Sequence, residues 1–253
     1  MFKLSKQTKK LLAGILIIIG ISLLVAYLYY GSKNRSEDPR VIETKNLFRD
    51  YEGLMKEKKY DEAIRLMDSA ENIFLNTPGY PSSYELGIVY NNRGSAYLSI
   101  ALYATKDSIE KTLLLRLAKT QIDSSIAIYS TWMKKYGTLG REEIFGIEKD
   151  YFHENDKAFE GKNRKKILNK RIDDLIMAQN ETPRRLSVSY TNAGIILRHQ
   201  FKQNEAADSY IKAIRLWKDN YVARNNFNVL MGIEPEDRSI IDQLFPPDKS
   251  IKE

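Results

Sequence analysis

Residues 187–220 read SVSYTNAGIILRHQFKQNEAADSYIKAIRLWKDN. The spacing Tyr190-x-x-Ala193-Gly194-x-x-Leu197 places those residues on one face of a helix. Ala206-x-x-x-Tyr210-x-x-Ala213 does the same for a second helix, with Lys202 in the turn between them. Gly194 has no Cβ, so a partner helix can approach closely there. Ala206 and Ala213 keep the facing surface small, and Tyr190, Leu197 and Tyr210 fill the remaining space. One such hairpin cannot bury its apolar stripe alone, so the stretch predicts neighbours of the same kind.

Two further copies lie upstream. In 44–77, Leu47-x-x-Asp50-Tyr51-x-x-Leu54 precedes the turn Lys58–Asp61 and then Ala63-x-x-x-Met67-x-x-Ala70. Tyr51 stands where a small residue is expected and should widen that crossing. In 87–131, Tyr90-x-x-Arg93-Gly94-x-x-Tyr97 is followed by Ala118-x-x-x-Ile122-x-x-Ser125. Extra residues separate these halves, and Asp107 with Glu110 marks a helix start inside the insertion.

The pattern resembles the tetratricopeptide repeat (TPR). That resemblance implies an all-α, TPR-like array of helical hairpins, an α-solenoid, over 41–231. It also implies a concave groove, lined by the first helix of each repeat, that takes a peptide or protein partner. Carried over position by position, the groove residues are Phe48, Glu52 and Met55, then Asn91, Ser95 and Leu98, then Thr191, Ile195 and Arg198. Repeats that grip a C-terminal carboxylate use a Lys and an Asn where this chain has Phe48 and Glu52, so that use is not implied. Arg198 follows the core residue Leu197 and is expected to point away from its hairpin partner, free for an acidic ligand.

The region 141–180 departs from the pattern. Two helices are expected, at 141–159 and 163–180, forming a divergent pair that continues the stack. Seven acids over 142–160 and the cluster from Lys162 to Arg171 in the second helix read as solvated faces answering each other. Three local signals mark helix starts: Asp38-Pro39, Ser82-x-x-Glu85 and Thr182-Pro183. A last helix carrying Tyr221, Phe227, Val229 and Leu230 is expected to cover the open end. A tail follows over 232–253, with a short helix at 238–245.

Ahead of the array, residues 11–30 read LLAGILIIIGISLLVAYLYY without a charge. Twenty helical residues rise about 30 Å, the thickness of a bilayer core, so the stretch predicts one transmembrane helix. Lys3, Lys6, Lys9 and Lys10 form a basic tail over 1–10, and Tyr27, Tyr29 and Tyr30 close the run as an interfacial belt. The run is longer than a signal-peptide core and ends in Tyr instead of a small-residue cleavage site, favouring a retained signal anchor. With the basic tail inside, the expectation is a single-pass protein of a bacterial inner membrane, linked through 31–40 to a periplasmic helical domain. A cytosol-facing tethered scaffold is the alternative.

The chain has 253 residues, no Cys and two His. The missing Cys excludes disulfides, thiolate metal sites and Cys nucleophiles. Beyond residue 30 there are 36 basic residues against 33 acidic, too even a balance to argue for nucleic acid. No phosphate loop, dinucleotide glycine pattern, HExxH or G-x-S-x-G element occurs, and His153 and His199 stand apart in sequence. No cofactor, metal or catalytic residue is therefore expected. The function read from the sequence is a protein–protein interaction module, an adaptor or accessory subunit of a membrane or envelope complex.

Overall fold

The computed structural model describes residues 12, 14–16, 18–25 and 36–236. Over 36–236 the chain is helical, without a strand among the described residues. Its α-helices are α1 (Glu43–Lys56), α2 (Tyr60–Leu75), α3 (Tyr84–Ser99), α4 (Ser108–Tyr136), α5 (Arg141–Glu148), α6 (Arg164–His199), α7 (Gln203–Leu216) and α8 (Tyr221–Leu230). Contacts run mainly between chain neighbours, with α6 as the hub: it touches α3, α4, α5, α7 and α8.

The hairpins close as the small-residue spacing predicts. A Cβ on Gly194 would sit 2.4 Å from Cε1 of Tyr210, and one on Gly94 would sit 2.7 Å from Cδ1 of Ile122. Each glycine thus admits the side chain that the register places opposite it. In α2, Ala63, Met67, Ala70 and Phe74 recur at helical spacing and are each at most 1% exposed. The first and last hairpins also share a turn. Lys58 and Phe201 both take the left-handed conformation, at φ 61° and 63°. The next amide in each, Lys59 and Lys202, donates to Leu54 O and Leu197 O at 2.9 Å. Tyr51 spans the first hairpin and reaches α3, donating its hydroxyl to Asn92 O at 2.7 Å.

The insertion between α3 and α4 is a π-helical turn, Ile100–Ala104, before Asp107 caps α4. The Asp107 carboxylate accepts from the amides of Ile109 and Glu110 at 2.7 and 2.8 Å.

Several local expectations are corrected. Thr182-Pro183 starts no helix, because α6 runs through Pro183 for 36 residues. An interior proline costs about 3 kcal/mol. Here Ile167, Ile172 and Leu175 lie buried on one side of it, with Ala193 and Ile196 on the other. Burying a large aliphatic side chain contributes about 1.5–3 kcal/mol, so the sum outweighs the proline. Ser82-x-x-Glu85 makes no capping box, since no side chain caps α3 and Glu85 turns to Arg171. Asp38 does not open α1. It is buried, its carboxylate bound by Arg40 and by the Tyr80 hydroxyl at 3.2 Å. The helix expected over 141–159 stops at Glu148 and gives way to 3-10 turns at Lys149–Tyr151 and Lys157–Phe159. The one expected over 163–180 is the first half of α6.

The single-pass membrane localisation is also corrected: among the described residues, no helix is long and apolar enough to cross a membrane. The inner-membrane anchor and the periplasmic placement of the domain fall with it. The basic tail, the tyrosine belt and residues 31–35 of the linker lie outside the described residues, as does the helix expected at 238–245.

Candidate functional site

The first helices of the successive hairpins, α1, α3 and α6, converge on a channel of about 250 Å³. Thr44, Lys45 and Phe48 line it from α1, Tyr84, Glu85 and Ile88 from α3, and Ile167, Lys170, Arg171, Asp174 and Arg185 from α6. Glu37 and Asp38 close one side. Both signs of charge are held close together. Lys45 binds Glu37 at 2.6 Å, and Lys170 lies 3.6 Å from Glu37 while also pairing with Asp174 four residues on. Burial raises the Asp174 carboxyl above its ordinary range, and the Lys170 ammonium offsets part of that shift.

Arg171 forms the floor. It is 5% exposed, binds Glu85, and stacks its guanidinium 4.3 Å above the Tyr80 ring. Glu148 is 1% exposed and lies 3.5 Å from Arg171 Nε, within ion-pair distance but without hydrogen-bond geometry. The Tyr136 hydroxyl donates to that same Glu148 at 2.9 Å. Burial alone would lower the Arg171 pKa. Glu85, Tyr80, Tyr84 and Glu148 reverse the sign and hold it well above the ordinary value, so the guanidinium stays charged.

A second built feature secures the segment before α1. Arg40 lies 4.6 and 4.8 Å from the ring centres of Phe152 and Phe159. It donates to Asp38 and, at 2.8 Å, to Tyr151 O, with Asp156 at 3.5 Å. The 3-10 turns after α5 are thereby pinned to the chain entering α1.

Two residues that line the channel each hold one buried polar atom without a hydrogen-bond partner: Glu85 Oε2, an acceptor, and Arg185 Nη1, a donor. The Arg185 guanidinium sits 5.1 Å from the centre of the Tyr84 ring.

Of the groove positions carried over from the repeat pattern, Phe48 lies in this channel, stacked 6.2 Å from Phe74. Glu52 is exposed, and Met55 packs on the first hairpin's core. In the middle set, Asn91 and Ser95 join α3 to α6. Asn91 Oδ1 accepts from the Ser189 hydroxyl and from Asn192 Nδ2, each at 3.1 Å, and Ser95 accepts from Asn192 Nδ2 at 3.0 Å. Leu98 is core, and Ile195 bridges two core clusters. Thr191 is buried, donating to Ser187 O and accepting from Asn220 Nδ2. Arg198 does not turn away from its hairpin partner. It lines a separate opening with Gln203, Asn204 and Ala207 of α7 and Val229, Leu230 and Met231 at the end of α8.

Sequence reasoning missed Arg171, Glu85, Glu148 and Arg185. Arg171 sat inside a cluster read as solvated, yet Lys165 and Lys166 are exposed while Arg171 is buried. The available signal was helical phase: Arg171 falls between Ile167, Leu168, Ile172 and Leu175, on the buried side of α6.

Among the described residues no group of three or more His, Cys, Asp or Glu is placed to hold a metal ion. No family model, curated protein or solved structure matches the chain.

Proposed function

We propose that the chain is a helical-repeat interaction module, its hairpins similar to tetratricopeptide repeats stacked as a solenoid, and that the channel between α1, α3 and α6 takes an extended segment of a partner protein. The repeat reading is supported by the shared register of the Gly194–Tyr210 and Gly94–Ile122 contacts and by the matched turns at Lys58 and Phe201. The observation that carries the binding reading is that the first helices of three hairpins bring both signs of charge, Lys45, Glu85, Lys170, Asp174 and Arg185, to one channel beside the apolar Phe48 and Ile88. An extended peptide presents N–H donors and C=O acceptors along one edge, which suits walls that carry both signs. At about 250 Å³ the channel falls below the usual small-molecule range of roughly 300–1,000 Å³, and it suits one or two anchoring side chains. The reading assigns the chain an adaptor or accessory role and no catalytic step.

A photo-crosslinking residue at Ile88, inside the channel, is expected to capture the partner. The same residue at Ser130, exposed on α4, is expected not to. The purified partner should then bind the Arg185→Gln chain about ten-fold more weakly, some 1.4 kcal/mol. Equal capture at both positions, or unchanged affinity after Arg185→Gln, would overturn the reading.

A further inference from the structure

We propose that the groove between the first turns of α4 and the turn joining α6 to α7 docks an acidic amphipathic helix of a partner protein. The groove measures about 540 Å³ and is lined by Thr112, Leu115, Arg116, Lys119 and Thr120 of α4 and by residues 199–202. It shares no residue with the channel and does not depend on the reading made there.

Ile109, Leu113 and Leu117 recur at four-residue spacing on α4 and are 81%, 52% and 37% exposed. They form a stripe about 12 Å long, turned away from the buried Leu114, Leu115 and Ala118. On the helix surface the stripe borders Thr112, Arg116 and Thr120 of the groove wall, each three residues on. The opposite wall carries Phe201, 88% exposed, the most exposed large apolar residue among those described. Its backbone holds the left-handed conformation at φ 63°, which is costly for a residue with a Cβ, and the exposed ring gains no packing in return. The matching turn of the first hairpin carries Lys58, so the turn itself does not call for an aromatic.

Charge fixes the class of partner. No carboxylate lines the groove. Lys119 is held by Asp123 at 2.7 Å, whereas Lys111, Arg116, Arg198 and Lys202 form no ion pair among the described residues. Of the acids close by in sequence, Asp107 caps α4, Glu110 accepts from the Thr105 hydroxyl, and Glu205 lies in the first turn of α7. The cations act on one another across the groove: burial lowers the pKa of His199 on its wall, and Arg198 and Lys111 lower it further.

Shape selects a helix. The stripe follows the axis of α4 beside a groove, a form that a second helix fills along its length and a planar lipid surface meets only at its tips. One apolar face of the partner helix covers Ile109, Leu113 and Leu117, and Phe201 closes over its side. Carboxylates flanking that face reach Arg116 and Lys202, where charge-assisted hydrogen bonds replace those to water.

The test titrates the full chain into a labelled synthetic peptide with Leu at i, i+4, i+7 and i+11 and Glu on the flanking positions, read by fluorescence anisotropy. A peptide of the same composition without helical period is the control. Saturable binding is expected for the periodic peptide, weakened at least about ten-fold by Leu113→Asp and by Arg116→Glu. Both residues are exposed, so melting of the two variants should match that of the parent. Lys134→Glu, exposed at the far end of α4, and Arg185→Gln, in the channel, should bind like the parent, which separates this surface from the channel. Equal binding of the two peptides, or parent-like binding by both Leu113→Asp and Arg116→Glu, would overturn the proposal. Two further measurements can reassign the face. Sedimentation of the chain with phosphatidylglycerol vesicles, lost in Arg116→Glu while the peptide fails to bind, would make it a lipid contact. Self-association abolished by Leu113→Asp would give it to a second copy of the chain. Either result would overturn the partner helix.

Discussion

The hairpin of α6 and α7 and the corner around Arg171 are both buried, yet they are held by opposite means. In the hairpin, Gly194, Ala206 and Ala213 make a surface that Tyr210 fills, and the small Ser187 donates its hydroxyl across the crossing to Ala213 O at 2.7 Å. In the corner, a guanidinium, two carboxylates and three tyrosines pack together with hydrogen bonds left unmade. The hairpin is stable because shapes match, and it asks nothing of distant residues. The corner is stable only while all its charges are present, because each was desolvated to be there.

Removing one partner should therefore show the largest effect. Arg171→Met leaves Glu85 and Glu148 buried without their cation and should cost about 3–5 kcal/mol, read as a lower urea midpoint. Adding Glu85→Gln and Glu148→Gln should recover part of the loss. A single Arg171→Met chain as stable as the parent would erase the contrast between the two regions.

The hairpin should fail by overpacking. Gly194→Leu places atoms where Tyr210 already lies and should cost about 1–3 kcal/mol or more. For a domain of this size that lowers Tm by roughly 2–4 °C per kcal/mol. Combining it with Tyr210→Ala should give less than the sum of the two losses, since one cavity accommodates the other's bulk. Strict additivity would mean that the two residues do not meet.

Gly53 provides the converse. Nothing lies within 4 Å of a Cβ built there, and the residue is exposed in α1. Gly53→Ala should raise stability by about 0.5–1 kcal/mol, because alanine loses less backbone freedom on folding. Destabilisation would show that α1 packs more tightly on that face than its hairpin geometry provides.

The smallest effect concerns His199, at the end of α6. Burial, together with the nearby cations Arg198 and Lys111, lowers its pKa from the ordinary 6.5. The unfolded chain then takes up the proton first, so stability falls as pH drops from about 6.5 toward the folded value and changes no further below it. Tm of the parent chain should decline more steeply over that window than Tm of His199→Gln. Parallel curves would place His199 outside the field of its neighbours.

Much of the hairpin was legible before any coordinates, and little of the corner was. Helical periodicity is local: Gly194 and Tyr210 are sixteen positions apart, and each announces its face within a turn or two. Glu85 and Arg171 are separated by 86 residues, and neither has a neighbour in sequence that names its partner. Acids within 142–160 and bases within 162–171 look solvated on composition alone, and most are. Only helical phase distinguishes Arg171, and only the packing of α5 distinguishes Glu148.

By itself the sequence determined that 41–231 is helical, which small residues admit the facing side chains at Gly94 and Gly194, and where Asp107 starts α4. Those outcomes depend on spacings of three, four and seven residues, which the chain fixes before it folds. Tertiary structure alone decided that α6 continues through Pro183, because burial along its whole length exceeds the cost of one missing amide and a ring clash. It also decided that Asn91, Ser95 and Thr191 join helices, that Glu85 leaves its helix terminus for Arg171, and that a channel opens over that guanidinium. Each of these is a competition between a local preference and a desolvated partner far away in the chain, and the distant partner wins where water is excluded.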